Sequence, residues 1–477
     1  MIVRIPAQTT ISPAFYGDDQ ATISALSVAS LANGESTIIG ACEHDESKLL
    51  KEILDSLGVE ITTTAVIAEK KKTVILSESE ESTAEGFAAK DQSNAESLCP
   101  ADISLDKGDI LPGFKNVLKV QGNGLQSFKE NKTPINVGNN GILLRAITGL
   151  LVGQKHEYDI IGSGQLLKRS LVRFLEPLEE MGAQFHSSYR QTLPLKIFGT
   201  HPLKNISYEA PLPTFTTKLT ILLAACNTKG KSLFKEPYPS ATYCEELMSN
   251  AEIFKNEVEY RVEISGGAPD AFEVQIPRDI LLVDCEVLAA ILLKQSHVIH
   301  DVSPAEGRGN LVEWLLKYAK GITFKKDENN LLKTGTLIIS ENVEFENLEL
   351  TGKETRRFLN ALPFLAVLFS AFKKRLLVRD AIDVRQRKCD WLAAIVDGLA
   401  GFGIEPEEFD DGFEISGKED LHGGAAICYD EESIALAFIA LGAAVGDFTQ
   451  LEDVPNTPRI QHVLKSLQCE VLESLPQ

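Results

Sequence analysis

One pattern recurs six times along this 477-residue chain: an amphipathic helix, then glycine or a small residue, then a short β-rich run. Residues 48–57 precede Gly58-Val59-Glu60-Ile61, and 171–181 precede Gly182-Ala183-Gln184-Phe185. Residues 311–319 precede Gly321-Ile322-Thr323-Phe324, 391–402 precede Gly403-Ile404-Glu405, and 457–467 precede Cys469-Glu470-Val471-Leu472. A weaker copy places 245–250 before Glu257-Val258-Glu259-Tyr260. Leu50, Ile53, Leu54 and Leu57 show the i, i+3, i+4, i+7 spacing that gives a helix one buried face. The glycine falls where such a helix ends in a left-handed turn, which Gly adopts at least cost. A repeat of this size cannot bury its apolar face alone, so the copies must pack together.

A second kind of helix is apolar nearly all round. Residues 221–225, 287–293, 361–371 and 434–444 qualify, and such segments are buried on every side. The two helix types and the short strands predict an α/β (α+β) fold, with buried helices inside a ring of sheets. Residues 77–107 break the pattern. They carry eight acidic and two basic side chains with little apolar content, and read as an acidic insertion exposed to water.

Charge narrows the function. The chain has 68 acidic and 47 basic residues, a formal net of −21. A general nucleic-acid binder exchanges basic side chains for counterions, so nucleic acid is excluded as a partner, as is loose binding to anionic lipid. An anionic small molecule remains open if its pocket is locally basic. No two of the eight cysteines form a C-x-x-C pair, which leaves no zinc knuckle or dithiol motif. His297 and His300 are spaced i, i+3 but have no local carboxylate, and read as a strand or loop end; no metal and no cofactor are expected. No apolar run reaches the ~18 residues that span a bilayer, so a cytoplasmic protein without a membrane partner is expected.

A local motif then carries a resemblance. Val137-Gly138-Asn139-Asn140-Gly141-Ile142-Leu143-Leu144-Arg145 follows Val120-Gln121-Gly122-Asn123-Gly124-Leu125. Further on, Ile160-Ile161-Gly162 leads to Leu166, Arg169 and Met181-Gly182-Ala183. With the six repeats, these residues resemble the enolpyruvyl transferases, and among them EPSP synthase (3-phosphoshikimate 1-carboxyvinyltransferase). The resemblance covers the chain apart from the acidic insertion. It implies two lobes of three βαβαββ-type units, residues 1–16 plus 268–477 and residues 17–267, with crossings near Gly17 and Gly267-Ala268-Pro269-Asp270. It also implies a monomer acting on small anions: phosphoenolpyruvate, and shikimate 3-phosphate or a related hydroxyl acceptor.

The motif has a plain chemistry of its own. Glycines let backbone N–H groups approach an anion at a helix N-terminus, and Arg145 lies one turn in, where it can fork onto phosphate or carboxylate. The bland alternative is a tight turn before an ordinary helix. By the resemblance, Gly138, Asn139, Gly141, Arg145, Thr216, Thr217, Tyr238, Arg385 and Arg387 line the substrate cleft.

The family's other groups are altered. Asp19 stands where the family has a Lys, and Asn360 where it has a catalytic Asp; Asn cannot act as a carboxylate base. Gln165 replaces an Arg, Lys388 a Glu, Trp391 an Arg, and Glu431-Glu432-Ser433 an Asp-His-Arg. Three readings follow. The first is a carboxyvinyltransferase with a rearranged site. The second is a catalytically inactive relative that binds or regulates. The third, nucleic-acid end chemistry, is opposed by the charge.

Overall fold

The computed structural model describes residues 1–6, 11, 13, 15–68, 114–188, 191–256, 259–304, 307–418, 421–445, 447–467 and 470–472. The acidic segment 77–107 lies outside them. Six small sheets form, five of four strands and one of three. Two units show how each is built. Ile135–Asn136 runs parallel to Glu157–Ile161, joined by the buried helix Gly141–Leu151. The amphipathic helix Val172–Glu180 then leads into the antiparallel pair Gln184–Ser187 and Leu195–Phe198. Leu348–Leu350, Leu362–Ser370, Arg375–Val378, Trp391–Ala400, Glu407–Phe409 and Gly412–Ser416 repeat the order strand, helix, strand, helix, strand, strand. The α/β (α+β) architecture expected from the repeats is therefore present.

Glycine ends three of the amphipathic helices as the sequence leads one to expect, whereas Leu311–Tyr318 ends on Ala319 and Gly321 lies inside the strand Lys320–Lys326. Gly58, Gly182 and Gly403 have φ of 87°, 91° and 77°, a region other L residues enter only with strain. The fully apolar helices lie at the centre: every residue of Leu362–Ser370 is buried. Asp19–Leu31 is as deeply buried from Ala21 onward, although four of its thirteen residues are Ser or Thr.

The buried apolar side chains form two clusters. One joins Val3, Ile5 and Ile11 to residues 280–467. The other spans Ala21 to Ile276 and takes in one distant residue, Leu332. Glu273–Gln275 adds in parallel to Asn33–Ile39, so the chain crosses between the clusters at 276–279, somewhat later than the Gly-Gly turn at 266–267. That turn reverses the chain onto the Asn33–Ile39 strand, and the crossing comes only after this edge is paired.

His297 and His300 lie on the strand His297–Val302. Their partners differ: His297 Nε2 meets Glu286 Oε1 at 2.7 Å, and His300 Nδ1 meets the Thr336 hydroxyl at 3.1 Å.

One buried carboxyl makes stability depend on pH. Asp284, on the central helix Ile280–Leu292, accepts from the amides of Leu311 and Val312 at 3.1 Å each and so caps the next helix. Burial pushes its pKa up to about 7 against the pull of those amides and of Arg308. A carboxyl that keeps its proton longer when folded stabilises the fold most below about pH 4, and that gain disappears as pH rises to about 7. The expected loss is on the order of 3–4 kcal/mol across this window. Asp284→Asn removes the titration and keeps an acceptor. Denaturation midpoints of the two proteins should therefore diverge with pH between 4 and 7; parallel pH profiles would refute the assignment.

Candidate functional site

The two crossing strands lie side by side. Gly17 bridges Arg278, the Asp18 amide donates to Pro277 O at 2.9 Å, and the Asp279 amide donates to Tyr16 O at 2.7 Å. Gly17 is needed here, since a Cβ would stand 2.2 Å from Gly40 O. The pairing sets two helix N-caps together: Asp18 caps Asp19–Leu31 and Asp279 caps Ile280–Leu292. Helix dipoles favour a carboxylate at each position.

Two guanidiniums answer these carboxylates. Arg308 pairs with Asp18 and reaches the Tyr243 hydroxyl at 3.2 Å. Burial lowers its pKa, but Asp18 and Tyr243 outweigh this and hold it above the ordinary Arg value. Arg459 donates Nε to Asp279 at 2.9 Å, Nη1 to Glu432 at 3.0 Å and Nη2 to Asp19 at 2.6 Å. All three of its nitrogens are thus engaged by carboxylates drawn from three different helices. Asp19 stands where the resemblance led one to expect a free cation. It is a carboxyl paired with Arg459, with its pKa pushed up to about 7 by burial while Arg459 pulls it down.

Beside it, the Tyr16 hydroxyl meets His44 Nδ1 at 2.9 Å, and the same nitrogen is 3.2 Å from Asp19 Oδ2. Burial holds the His44 pKa down near 4, with Arg459 acting in the same sense, so the ring is neutral at pH 7. Burial also pushes the Cys42 thiol up, and Asp19 adds to this.

Asn360 and Arg387 lie together. Asn360 Nδ2 donates to Arg308 O at 3.0 Å, and its Oδ1 accepts from Arg387 Nη2 at 3.1 Å. Arg387 also stacks over Trp391 at 4.1 Å from the ring centre. Arg385 does not join them. It pairs with Asp390 and Glu408, both at 2.7 Å, and donates to the carbonyls of Phe409 and Asp410. It braces the strand pair Glu407–Phe409 and Gly412–Ser416. Tyr238 lines a separate cavity of about 440 Å³ with Gly307 and Arg357.

The Gly-Asn motif forms a distinct cationic pole. Gly138 has φ of 59°. Asn139 Oδ1 accepts from the Leu166 amide at 2.9 Å and pins the loop that carries exposed Gln165. Asn140 caps the helix Gly141–Leu151, accepting from the amides of Ile142 and Leu143 at 2.9 Å each. The helix thus satisfies two of its own first-turn donors and leaves fewer for a ligand than the motif alone implies. Arg145 Nη1 donates back to Gly141 O at 2.9 Å, and the guanidinium lies 5.0 Å over Phe174. Arg169 converges on the same point: a Cβ on Gly141 would be 3.0 Å from Arg145 Nη1 and 3.8 Å from Arg169 Nη1. Burial lowers the Arg145 pKa, and repulsion from Arg169 adds to it. Among the described residues neither pairs with a carboxylate, and Arg145 Nε is buried without a partner. Two like charges converging without a counter-charge are suited to an anion.

Thr216 and Thr217, half-buried, begin the helix Phe215–Ala225. Thr220 on that helix donates to Arg145 O at 3.2 Å and ties the two helices together. The neighbouring Lys218 is wholly buried, paired with Glu236 at 2.9 Å and Glu245 at 2.7 Å.

Sequence reasoning missed Arg459, Arg308, Asp18 and Asp279. The caps had a readable signal, an Asp immediately before a helix. The arginines had none, because only tertiary packing brings them to those caps. Among the described residues, no helix is long and apolar enough to cross a membrane.

Comparison with known proteins agrees with this architecture. The family model for EPSP synthase (3-phosphoshikimate 1-carboxyvinyltransferase) matches residues 112–459. The 3-phosphoshikimate 1-carboxyvinyltransferase of Thermodesulfovibrio yellowstonii is 27% identical over 357 residues, covering 73% of this chain and 83% of that protein. The enzyme of the same name from Coxiella burnetii is 28% identical over 345 residues, 72% of this chain and 78% of that one. The solved structure of EPSP synthase from Acinetobacter baumannii superposes with a TM-score of 0.78 over 99% of both chains, at 19% identity. By fold, by the Gly138–Arg145 element and by sequence match, this chain belongs to the EPSP synthase family.

Proposed function

We propose that this protein binds a small phosphorylated or carboxylate anion at the Arg145–Arg169 pole and does not carry out carboxyvinyl transfer by the route of its relatives. The observation that supports this is Arg459, locked to Asp19, Asp279 and Glu432. Transfer from phosphoenolpyruvate to a hydroxyl gathers two anions and moves protons onto the vinyl carbon and off the acceptor. At the crossing the cations are already neutralised by the protein's own carboxylates. Asn360, at the position of the family's carboxylate, has both side-chain polar atoms engaged and no basic oxygen to offer.

A second reading is favoured by the intact Gly138, Asn139, Gly141 and Arg145, and by the names of the relatives. It makes the protein a carboxyvinyltransferase with a rearranged site, using phosphoenolpyruvate and shikimate 3-phosphate or a related acceptor.

One experiment separates the two. Phosphoenolpyruvate and shikimate 3-phosphate are titrated singly and together by calorimetry, and phosphate release is followed in the mixture. The first reading expects binding that Arg145→Ala weakens by roughly tenfold or more, since a charge-assisted hydrogen bond contributes about 1.5–3 kcal/mol, with no phosphate released. Phosphate release lost in Arg145→Ala would establish the second reading. No heat from either ligand would reject the anion site.

A further inference from the structure

Next to the crossing, three side chains of different chemistry converge. A carboxylate oxygen of Asp19, the thiol of Cys42 and a ring nitrogen of His44 all lie within 4.8 Å of one another. Among the described residues this is the one such group of three. None belongs to the Arg145–Arg169 pole.

Two of the three hold back a polar atom. Asp19 gives Oδ2 to Arg459 and to His44, while its Oδ1 is buried with no N–H or hydroxyl donor, the Cys42 thiol being the one further hydrogen-bond partner of this carboxyl. His44 is 8% exposed and uses Nδ1 towards Tyr16 and Asp19, while its Nε2 is buried with no partner. Buried polar atoms are ordinarily satisfied, so the orphan His44 Nε2, beside a carboxyl oxygen met by nothing stronger than a thiol, points to a missing ligand. The charge count points the same way. Four carboxyl groups, Asp18, Asp19, Asp279 and Glu432, face two guanidiniums, Arg308 and Arg459. A divalent cation would offset most of that excess once the Cys42 thiol has given up its proton.

We propose that Asp19, Cys42 and His44 form a binding site for a divalent transition metal, zinc by donor chemistry. Thiolate with imidazole and one carboxylate suits Zn²⁺ and disfavours Mg²⁺ or Ca²⁺, which take oxygen ligands. Bond lengths of ~2.0–2.3 Å put ligand atoms of a tetrahedral zinc ~3.3–3.8 Å apart, so the group needs to contract by about 1 Å. Binding displaces the thiol proton, as thiolate ligation requires. Arg459, on the other oxygen of Asp19, orients the carboxylate as an outer partner.

Three protein ligands leave a fourth position for water or a ligand atom. The surroundings allow access. Cys42 and His44 line a cavity of about 310 Å³, and Asp19 and His44 line a neighbouring one of about 380 Å³. All three ligands come from one side of the crossing, and Arg459 reaches Asp19 from the other.

The test uses the full chain, stripped with chelator and titrated with Co²⁺ as a spectroscopic substitute for Zn²⁺. One Co²⁺ per chain is expected, with a thiolate-to-cobalt charge-transfer band and tetrahedral ligand-field bands, all bleached by added Zn²⁺. Cys42→Ser should abolish the charge-transfer band. His44→Gln should weaken binding at least tenfold, and the partly exposed Cys389→Ser should leave the spectrum unchanged. Circular dichroism checks that each variant is folded; if Cys42→Ser is not, the affinity of folded His44→Gln decides. No saturable band, a band that survives Cys42→Ser, or unaltered affinity in His44→Gln would overturn the site.

Discussion

Replacing Lys218 by Met should destabilise the protein by about 3–5 kcal/mol, because it leaves two carboxylates buried without their cation. Lys218, Glu236 and Glu245 have side chains fully shielded from water. Burial lowers the Lys218 pKa, but the two carboxylates outweigh it and hold the amine charged. The ammonium also donates to Ser240 O at 3.1 Å and lies 5.0 Å over the Tyr260 ring. Glu236 is held in turn by the Ser240 amide at 2.7 Å, and Glu245 by the Tyr260 hydroxyl at 2.9 Å. Only Glu245 Oε2 in this network is buried without a partner, and removing the one cation strands both carboxylates. Adding Glu236→Gln and Glu245→Gln to Lys218→Met removes the stranded charges and should restore much of the loss. Denaturant midpoints followed by circular dichroism decide it; a Lys218→Met protein within 1 kcal/mol of the parent would show that the triad contributes little.

Arg459→Ala should cost a similar ~3–5 kcal/mol and should loosen the crossing as well. The guanidinium joins Asp19, which begins a helix of one core, to Asp279 and Glu432, which belong to the other. Alanine leaves three carboxylates facing one another. Arg459→Lys keeps the charge but not the three-way fork, so an intermediate loss is expected. Other links across the crossing, Arg308 to Asp18, Lys115 to Asp301, and Leu332 inserted in the opposite core with Lys333 paired to Glu246 at 2.5 Å, limit how far the halves separate. Small-angle scattering should show a larger radius of gyration for Arg459→Ala, larger still with Leu332→Ala. An unchanged scattering profile together with an unchanged melting temperature would refute this role.

Much of the fold was legible because periodicity reports burial directly. The amphipathic helix expected at 171–181 is Val172–Glu180, and the one at 391–402 is Trp391–Ala400. Asp19–Leu31 escaped notice as a central helix because its sequence reads DQATISALSVASL, rich in hydroxyls. The structure buries three of the four hydroxyls by turning them onto their own helix, and leaves Ser27 Oγ buried without a partner. Thr22 donates to Asp18 O at 2.8 Å, Ser24 to Gln20 O at 2.8 Å and Ser30 to Ser27 O at 2.7 Å. A hydroxyl satisfied by the preceding turn can be buried at little cost. The sequence shows the residue type and cannot show that its bond is already made.

The candidate site divides along the same line. By itself the sequence determined the six-unit architecture and the Gly138–Arg145 element, because both depend on contacts within a few residues. Only the tertiary structure decided what the charges do. Asp19 and Arg459 are 440 positions apart, and Arg308 and Asp18 are 290 apart. Their pairing depends on which helix ends the two crossings bring together. Arg385 and Arg387 are near neighbours with the same side chain, yet one braces a strand pair and the other stacks on Trp391 beside Asn360. A local pattern fixes which way a helix faces. Whether a charged group is available to a ligand depends on the field and the partners around it, and those come from every part of the chain at once.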